Sequence, residues 1–281
     1  MKDILFNLNN IRIEISFKSF DELRKILSFY QKNNLYKINI PCKNGLKKDF
    51  LLDSIKISRE EFPNIDIIPH FSILHEFKRN RINTQASFNN FVHVIKNLGC
   101  KELLLVSGSQ KRSSLDSVSA LDMLKSNILF SNNDIFIGVA FNPYLQGFMF
   151  EQEILRLEKK LESGLVRSIW FQFGSDYKLL KSRMQTIKNI ISKVKYEDSK
   201  RSQIKFFGSV LIPSKQFLAR FKFRPWKGVY CSDEFLESVD VANEETIKLL
   251  QTYKEYEIYP VIETNTSNEN YLNNLKRLLV Y

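Results

Sequence analysis

The sequence predicts a closed (β/α)8 barrel, the TIM-barrel architecture, as a single α/β domain over residues 1–281. Three observations carry this. Short β-branched runs alternate with longer amphipathic stretches along the whole chain, which is the βαβ rhythm. Eight strands with eight or more helices fit in 281 residues, the length such a barrel needs. The open doubly wound alternative usually shows a glycine-rich loop after strand one, and here Phe17-Lys18-Ser19 follows instead.

Each element has a local reason. Arg12–Ser16 reads as strand one. A helix from about Ser19 to Lys32 follows, with Ser19 as N-cap and Glu22 completing a capping box. Lys37–Ile40 is strand two and Phe50–Glu61 a helix. Asp66–His70 is strand three, and the helix Thr84–Leu98 ends at Gly99, a C-cap residue. Strand four, Glu102–Val106, is apolar enough to be buried on both faces, as parallel strands are. Ile135–Ala140 is strand five, with a helix over Glu151–Ser163 closed by Gly164. Ser168–Phe173 is strand six, followed by a helix over Tyr177–Val194 and a polar loop at Tyr196–Gln203. Strand seven is Lys205–Gly208, with helices near Lys215–Phe221 and Asn243–Lys254. Tyr256–Ile262 is strand eight, and Asn268–Leu279 a final helix.

Composition bounds the function. The chain is 43% apolar and 26% charged, ordinary for a globular protein, and no apolar run approaches membrane-spanning length. The start, with Asp3 and no apolar core segment, argues against a secretory signal. Cys42, Cys100 and Cys231 are odd in number and far apart, so they form neither a disulfide framework nor a zinc cluster, and the expected compartment is the cytoplasm. Lys and Arg exceed Asp and Glu by 42 to 31, a net +11. Such a surplus admits nucleic acid, anionic membrane or a polyanionic small molecule. The basic residues are spread out, without a stripe interleaved with aromatics. That favours a solvated basic surface, with an anionic ligand as the specific alternative and no nucleic-acid or membrane partner.

In (β/α)8 barrels the chemistry sits at the C-terminal ends of the strands. The polar residues there are Glu14, His70, Ser107, Ser109, Asn142, Gln172, Asp176, Glu263, Thr264 and Asn265. Glu14 lies between Ile13 and Ile15 and so faces away from them. Aimed into a barrel it would be a general acid, or a structural carboxylate bonded to a neighbouring Arg or Lys. His70 reads equally as a core histidine or a catalyst. Gln172, between Phe171 and Phe173, could read a flat heterocycle or satisfy an interior strand. The His70/His75 pair lacks a third ligand, so no metal is expected.

Several segments occur together in order: Arg12-Ile13-Glu14-Ile15-Ser16, Pro69-His70-Phe71-Ser72, Val106-Ser107-Gly108-Ser109, Ile137-Gly138-Val139-Ala140-Phe141-Asn142-Pro143, Lys160-Leu161-Glu162-Ser163-Gly164, Phe171-Gln172-Phe173-Gly174-Ser175-Asp176 and Phe207-Gly208-Ser209-Val210-Leu211-Ile212-Pro213. The series resembles the methylenetetrahydrofolate reductase family, a flavin-dependent (β/α)8 barrel, along essentially the whole chain. The resemblance implies reduction of 5,10-methylenetetrahydrofolate to the 5-methyl form with NAD(P)H, Glu14 being the general acid. It implies substrate contacts from Gln172, Ser109 and Asp176, and cofactor contacts from His70, Ser107, Gly108, Ala140, Asn142 and Lys160. A non-reductase folate-binding barrel, or an inactive partner subunit, is the alternative.

The sequence departs from the family at three strand ends. Ser107-Gly108-Ser109 stands where the family has Arg-Gly-Asp, Asn142-Pro143-Tyr144 where it has Tyr-Pro-Glu, and Pro41 where it has a threonine that meets the flavin. FAD binding is therefore expected to be eroded. The tetrahydrofolate partner could carry a polyglutamate tail, with Lys111 and Arg112 as anchors, and a homo-oligomer is compatible with the sequence. The family's regulatory domain is not expected, since the barrel consumes all 281 residues.

Overall fold

A computed structural model describes residues 8, 10–42, 48–73, 81–107, 116–124, 135–194, 204–264 and 267–279, without the side chains of Lys48 and Arg81. In chain order the elements are β1 (Arg12–Glu14), α1 (Phe20–Lys32), β2 (Lys37–Ile40), α2 (Lys48–Glu61), β3 (Asp66–Ser72), α3 (Arg81–Asn97), β4 (Glu102–Val106), α4 (Ser117–Leu124), β5 (Phe136–Phe141), α5 (Gly147–Glu162), β6 (Val166–Phe171), α6 (Tyr177–Lys193), β7 (Lys205–Val210), α7 (Lys215–Phe223), α8 (Asp233–Glu237), α9 (Val239–Tyr256), β8 (Ile258–Ile262) and α10 (Glu269–Leu279). The eight strands pair in sequence order, all parallel, and close where Arg12 meets Val261 and Ile13 meets Ile262. The predicted single-domain barrel is the fold observed.

The chain starts α1 as its sequence dictates. Ser19 Oγ accepts from the Glu22 N–H at 3.2 Å, and the Glu22 carboxylate reaches back to the Lys18 N–H at 2.7 Å, one residue before the expected partner. Gly99 takes a left-handed φ of +77° just after α3, a conformation that costs other residues a Cβ clash. Two helices go beyond the predicted pattern, α4 and α8. Both are short, and neither SVSALDML nor DEFLE is long enough to display helical periodicity.

Strand alternation sorts the sheet into two faces. Ile13, Ile38, Phe71, Leu103, Leu105, Ile137, Val139, Phe141, Ile169, Phe171 and Ile262 face outward and pack beneath the helices in the main core. The inward positions form a second, separate cluster: Ile68, Leu104, Trp170, Phe207 and Val261. The register stacks these inward residues in layers of four taken from alternate strands, as barrels of this tilt require. From the middle upward the layers are Arg12, Ile68, Gly138 and Phe207; then Asn39, Leu104, Trp170 and Val261; then Glu14, His70, Ala140 and Ser209. Pro41, Val106, Gln172 and Glu263 form the rim. Trp170 stacks on Phe207 with centroids 4.1 Å apart and fills the lumen. Gly138 makes this possible, since a Cβ there would collide with the Trp170 indole nitrogen and lie 2.6 Å from Ser168 Oγ.

Candidate active site at the C-terminal mouth

β1 places Glu14 and Arg12 on the inner face, two residues apart. Arg12 is buried, and its guanidinium donates to Asn39 Oδ1 at 2.8 Å, to the Ile38 carbonyl at 2.8 Å and to Asp66 Oδ2 at 2.6 Å. Because Asn39 Oδ1 is taken by Arg12, its amide nitrogen must be the donor toward His70 Nε2, 3.1 Å away. His70 therefore accepts from Asn39 at Nε2 and carries its proton on Nδ1. A salt-bridged arginine at one end of the lumen thus sets the tautomer of a histidine near the other. His70 also meets the Trp170 edge, with centroids 6.4 Å apart.

Above this floor stand two carboxylates. Ile13 and Ile262 are register partners, and the Glu263 N–H continues the ladder onto the Val210 carbonyl. Glu14 and Glu263 are thus the next residues up on hydrogen-bonded neighbouring strands, both facing inward, with backbones about 5 Å apart. Both are half-buried. Glu263 accepts a short hydrogen bond from Ser209 Oγ, which orients its carboxylate. Gln172 follows β6 on the inner face. Its N–H bonds the Phe141 carbonyl, and its carboxamide has no hydrogen bond among the described residues. No group of three or more His, Cys, Asp or Glu side chains that could hold a metal occurs among the described residues.

The remaining predicted site residues lie elsewhere or are already engaged. Asp176 is the N-cap of α6, where its carboxylate accepts from the Leu179 N–H at 2.8 Å. Ser107 Oγ bonds Ser117 on α4 at 2.9 Å, through both the hydroxyl and the backbone N–H of that residue. The Asn142 amide donates to the Gly228 carbonyl at 2.9 Å and accepts from the Tyr144 N–H at 3.0 Å. Lys160, 4% exposed beneath α5, donates to the Ala140 carbonyl at 2.8 Å, and burial, only partly offset by the Glu153 carboxylate, pulls its ammonium down to about 8. Gly108, Ser109, His75, Lys111, Arg112 and Asn265 lie outside the described residues.

Between β4, β5 and α5 these groups form one polar cluster. Arg156 bridges Asp116 at 2.8 Å, and the Glu153 carboxylate accepts the Asn142 N–H at 3.1 Å. Burial opposes ionisation of Asp116, but hydrogen bonds from Ser119 and Arg156 outweigh it and hold the carboxyl near 2. The described side chains assigned to a flavin, namely His70, Ser107, Asn142 and Lys160, are thus each bonded within the protein. They do not fit a flavin site, and no step is built on FAD.

Sequence reading missed Arg12, Asn39 and Ser209. The signal was present: Arg12 and Lys37-Ile38-Asn39-Ile40 alternate polar with apolar at period two, as Ile13-Glu14-Ile15 does.

No family model matches the chain, and no curated protein does. Solved structures share its fold. N-acetylneuraminate lyase from Fusobacterium nucleatum superposes with a TM-score of 0.54 at 11% identity, over 97% of this chain and 75% of that one. 2,3-Dimethylmalate lyase, a member of the PEP mutase/isocitrate lyase superfamily, gives 0.52 at 9% identity, over 92% and 75%. An aldo/keto reductase from Klebsiella pneumoniae, in complex with NADP and acetate, gives 0.52 at 10% identity, over 97% and 86%. At these identities the likeness shows the barrel. It also corrects the expected activity. These neighbours are lyases and aldo-keto reductases rather than methylenetetrahydrofolate reductases, so the assignment as a folate reductase, with its FAD and its folate-binding or partner-subunit alternative, is withdrawn. No described helix is long and apolar enough to cross a membrane.

Proposed function

We propose that this chain is an enzyme that moves protons on a small, nitrogen-bearing substrate at the C-terminal mouth. Glu14 is the acid–base group, Glu263 its neighbour, and Gln172 the orienting amide. The carrying observation is the placement of two inward carboxylates side by side in register on adjacent strands. Gln172 offers a donor and an acceptor side by side, which suits an amide or a nitrogen heterocycle.

The segment resemblance to the methylenetetrahydrofolate reductase barrel is kept as a proposal about descent. The barrel neighbours being enzymes supports the enzymatic reading, and the three free cysteines support a reducing, cytoplasmic setting.

The test is solvent-deuterium incorporation, followed by NMR, across a panel of amines, amides and nitrogen heterocycles. A parallel arm follows NADPH consumption, since aldo-keto reductase neighbours hold NADP or NADPH. With a substrate found, Glu14→Gln should lower turnover by about 10²–10⁴-fold while binding persists. Unchanged turnover in that variant would remove Glu14 from the chemistry.

A further inference from the structure

The opposite, N-terminal end of the barrel holds a cavity of about 330 Å³. Its side chains are those with which the strands begin. Alternation points Arg12, Lys37, Asp66, Glu102, Phe136 and Lys205 inward from β1, β2, β3, β4, β5 and β7, and Lys101 adds a further cation. Tyr259 and Phe207, with ring centroids 5.6 Å apart, form an aromatic wall at its inner end.

Charge in this cavity is not balanced. Asp66 is matched by Arg12, leaving three lysines to face the one remaining carboxylate, Glu102. Glu102 is itself turned aside, accepting a short hydrogen bond from Ser168 Oγ, and burial pushes its pKa up, which weakens its claim on the lysines. Lys37 spends its ammonium on Asn10 Oδ1 at 3.0 Å. Burial and the neighbouring Arg12 and Lys205 pull its pKa down, the behaviour of a cation short of negative partners. Neither Lys101 nor Lys205 has an ion pair among the described residues. A barrel end built for stability alone would pair its charges. A concave end with surplus cations focuses potential on an anion instead.

We propose that the N-terminal mouth is a binding site for a small organic anion, a phosphate or carboxylate group held by Lys37, Lys101 and Lys205 with an apolar body against Tyr259. The trait is independent of the chemistry assigned to the other mouth, which Trp170 and Phe207 separate from it.

Isothermal titration of the full chain with phenyl phosphate and with phthalate, against sodium chloride at equal ionic strength, tests this and separates the two anion sources. At least one should bind saturably. Lys205→Glu, at an exposed position, should weaken that binding by about tenfold, equivalent to 1.4 kcal/mol. Lys37→Met should weaken it in the same direction, and Glu14→Gln at the far mouth should leave it unchanged. Binding no tighter than the chloride control, or equal binding by wild type and Lys205→Glu, overturns the proposal.

Discussion

Replacing Lys160 by methionine should change how stability depends on pH, and the size of the change follows from where the amine sits. Lys160 is 4% exposed, and its pKa is held near 8 instead of the usual 10.5. That difference corresponds to about 3 kcal/mol of penalty on the charged form in the folded protein. Above pH 10.5 the amine is neutral in both states and the penalty is absent. As pH falls from 10.5 to 8 the unfolded chain takes up the proton first, and stability drops. Below pH 8 both states are charged and the full penalty persists. Wild type should therefore gain up to about 3 kcal/mol between pH 8 and 10.5 relative to Lys160→Met. Against this, methionine leaves the Ala140 carbonyl without its 2.8 Å donor, a loss of about 1–2 kcal/mol at every pH. The variant is thus expected to be slightly more stable at pH 7 and less stable at pH 10.5. Urea unfolding of both proteins across this range gives the two curves. If they run parallel, Lys160 is charged at its ordinary pKa and the burial argument fails.

Four further outcomes are expected. Gly138→Ala should cost about 1–3 kcal/mol in urea unfolding, because its methyl meets the Trp170 indole and Ser168 in a filled lumen. Two tyrosines should respond with opposite sign. Tyr253→Phe loses a buried 2.9 Å bond to the Ser209 carbonyl and should destabilise by about 1–2 kcal/mol, whereas Tyr144→Phe removes a buried hydroxyl that has no partner among the described residues and should be neutral or mildly stabilising. Glu14→Gln should abolish most turnover without loss of fold, read by kinetics beside circular dichroism. Lys205→Glu should weaken anion binding at the N-terminal mouth while leaving unfolding midpoints unchanged in phosphate-free buffer.

The strands were legible because parallel strands buried on both faces leave apolar runs such as Glu102–Val106, and because Ser19, Gly99 and Gly164 punctuate helices by local chemistry. Boundaries slipped where tertiary contacts decide them. β3 runs on to Ser72 because β4 offers it partners, and α9 begins at Val239 because Ser238 caps the Val241 N–H. Glu14 and Gln172 were readable as inward residues from alternation alone. The pairing of Glu14 with Glu263 was not, since it depends on the register with which the last strand closes on the first. Nor could sequence show that Asn142, Lys160 and Ser107 were already bonded, because their partners lie 10 to 86 residues away.

The stacked Trp170 and Phe207 fill the barrel lumen between its two mouths. Each end therefore faces its own chemistry and can be altered apart from the other. What spans the two ends is a file of hydrogen bonds from Arg12 through Asn39 to His70, in which the guanidinium, able only to donate, fixes the Asn39 amide and the amide fixes the imidazole. Loss of the Arg12 guanidinium would free the Asn39 amide to turn, and with it the choice of which His70 nitrogen holds the proton, with no atom travelling the distance between them.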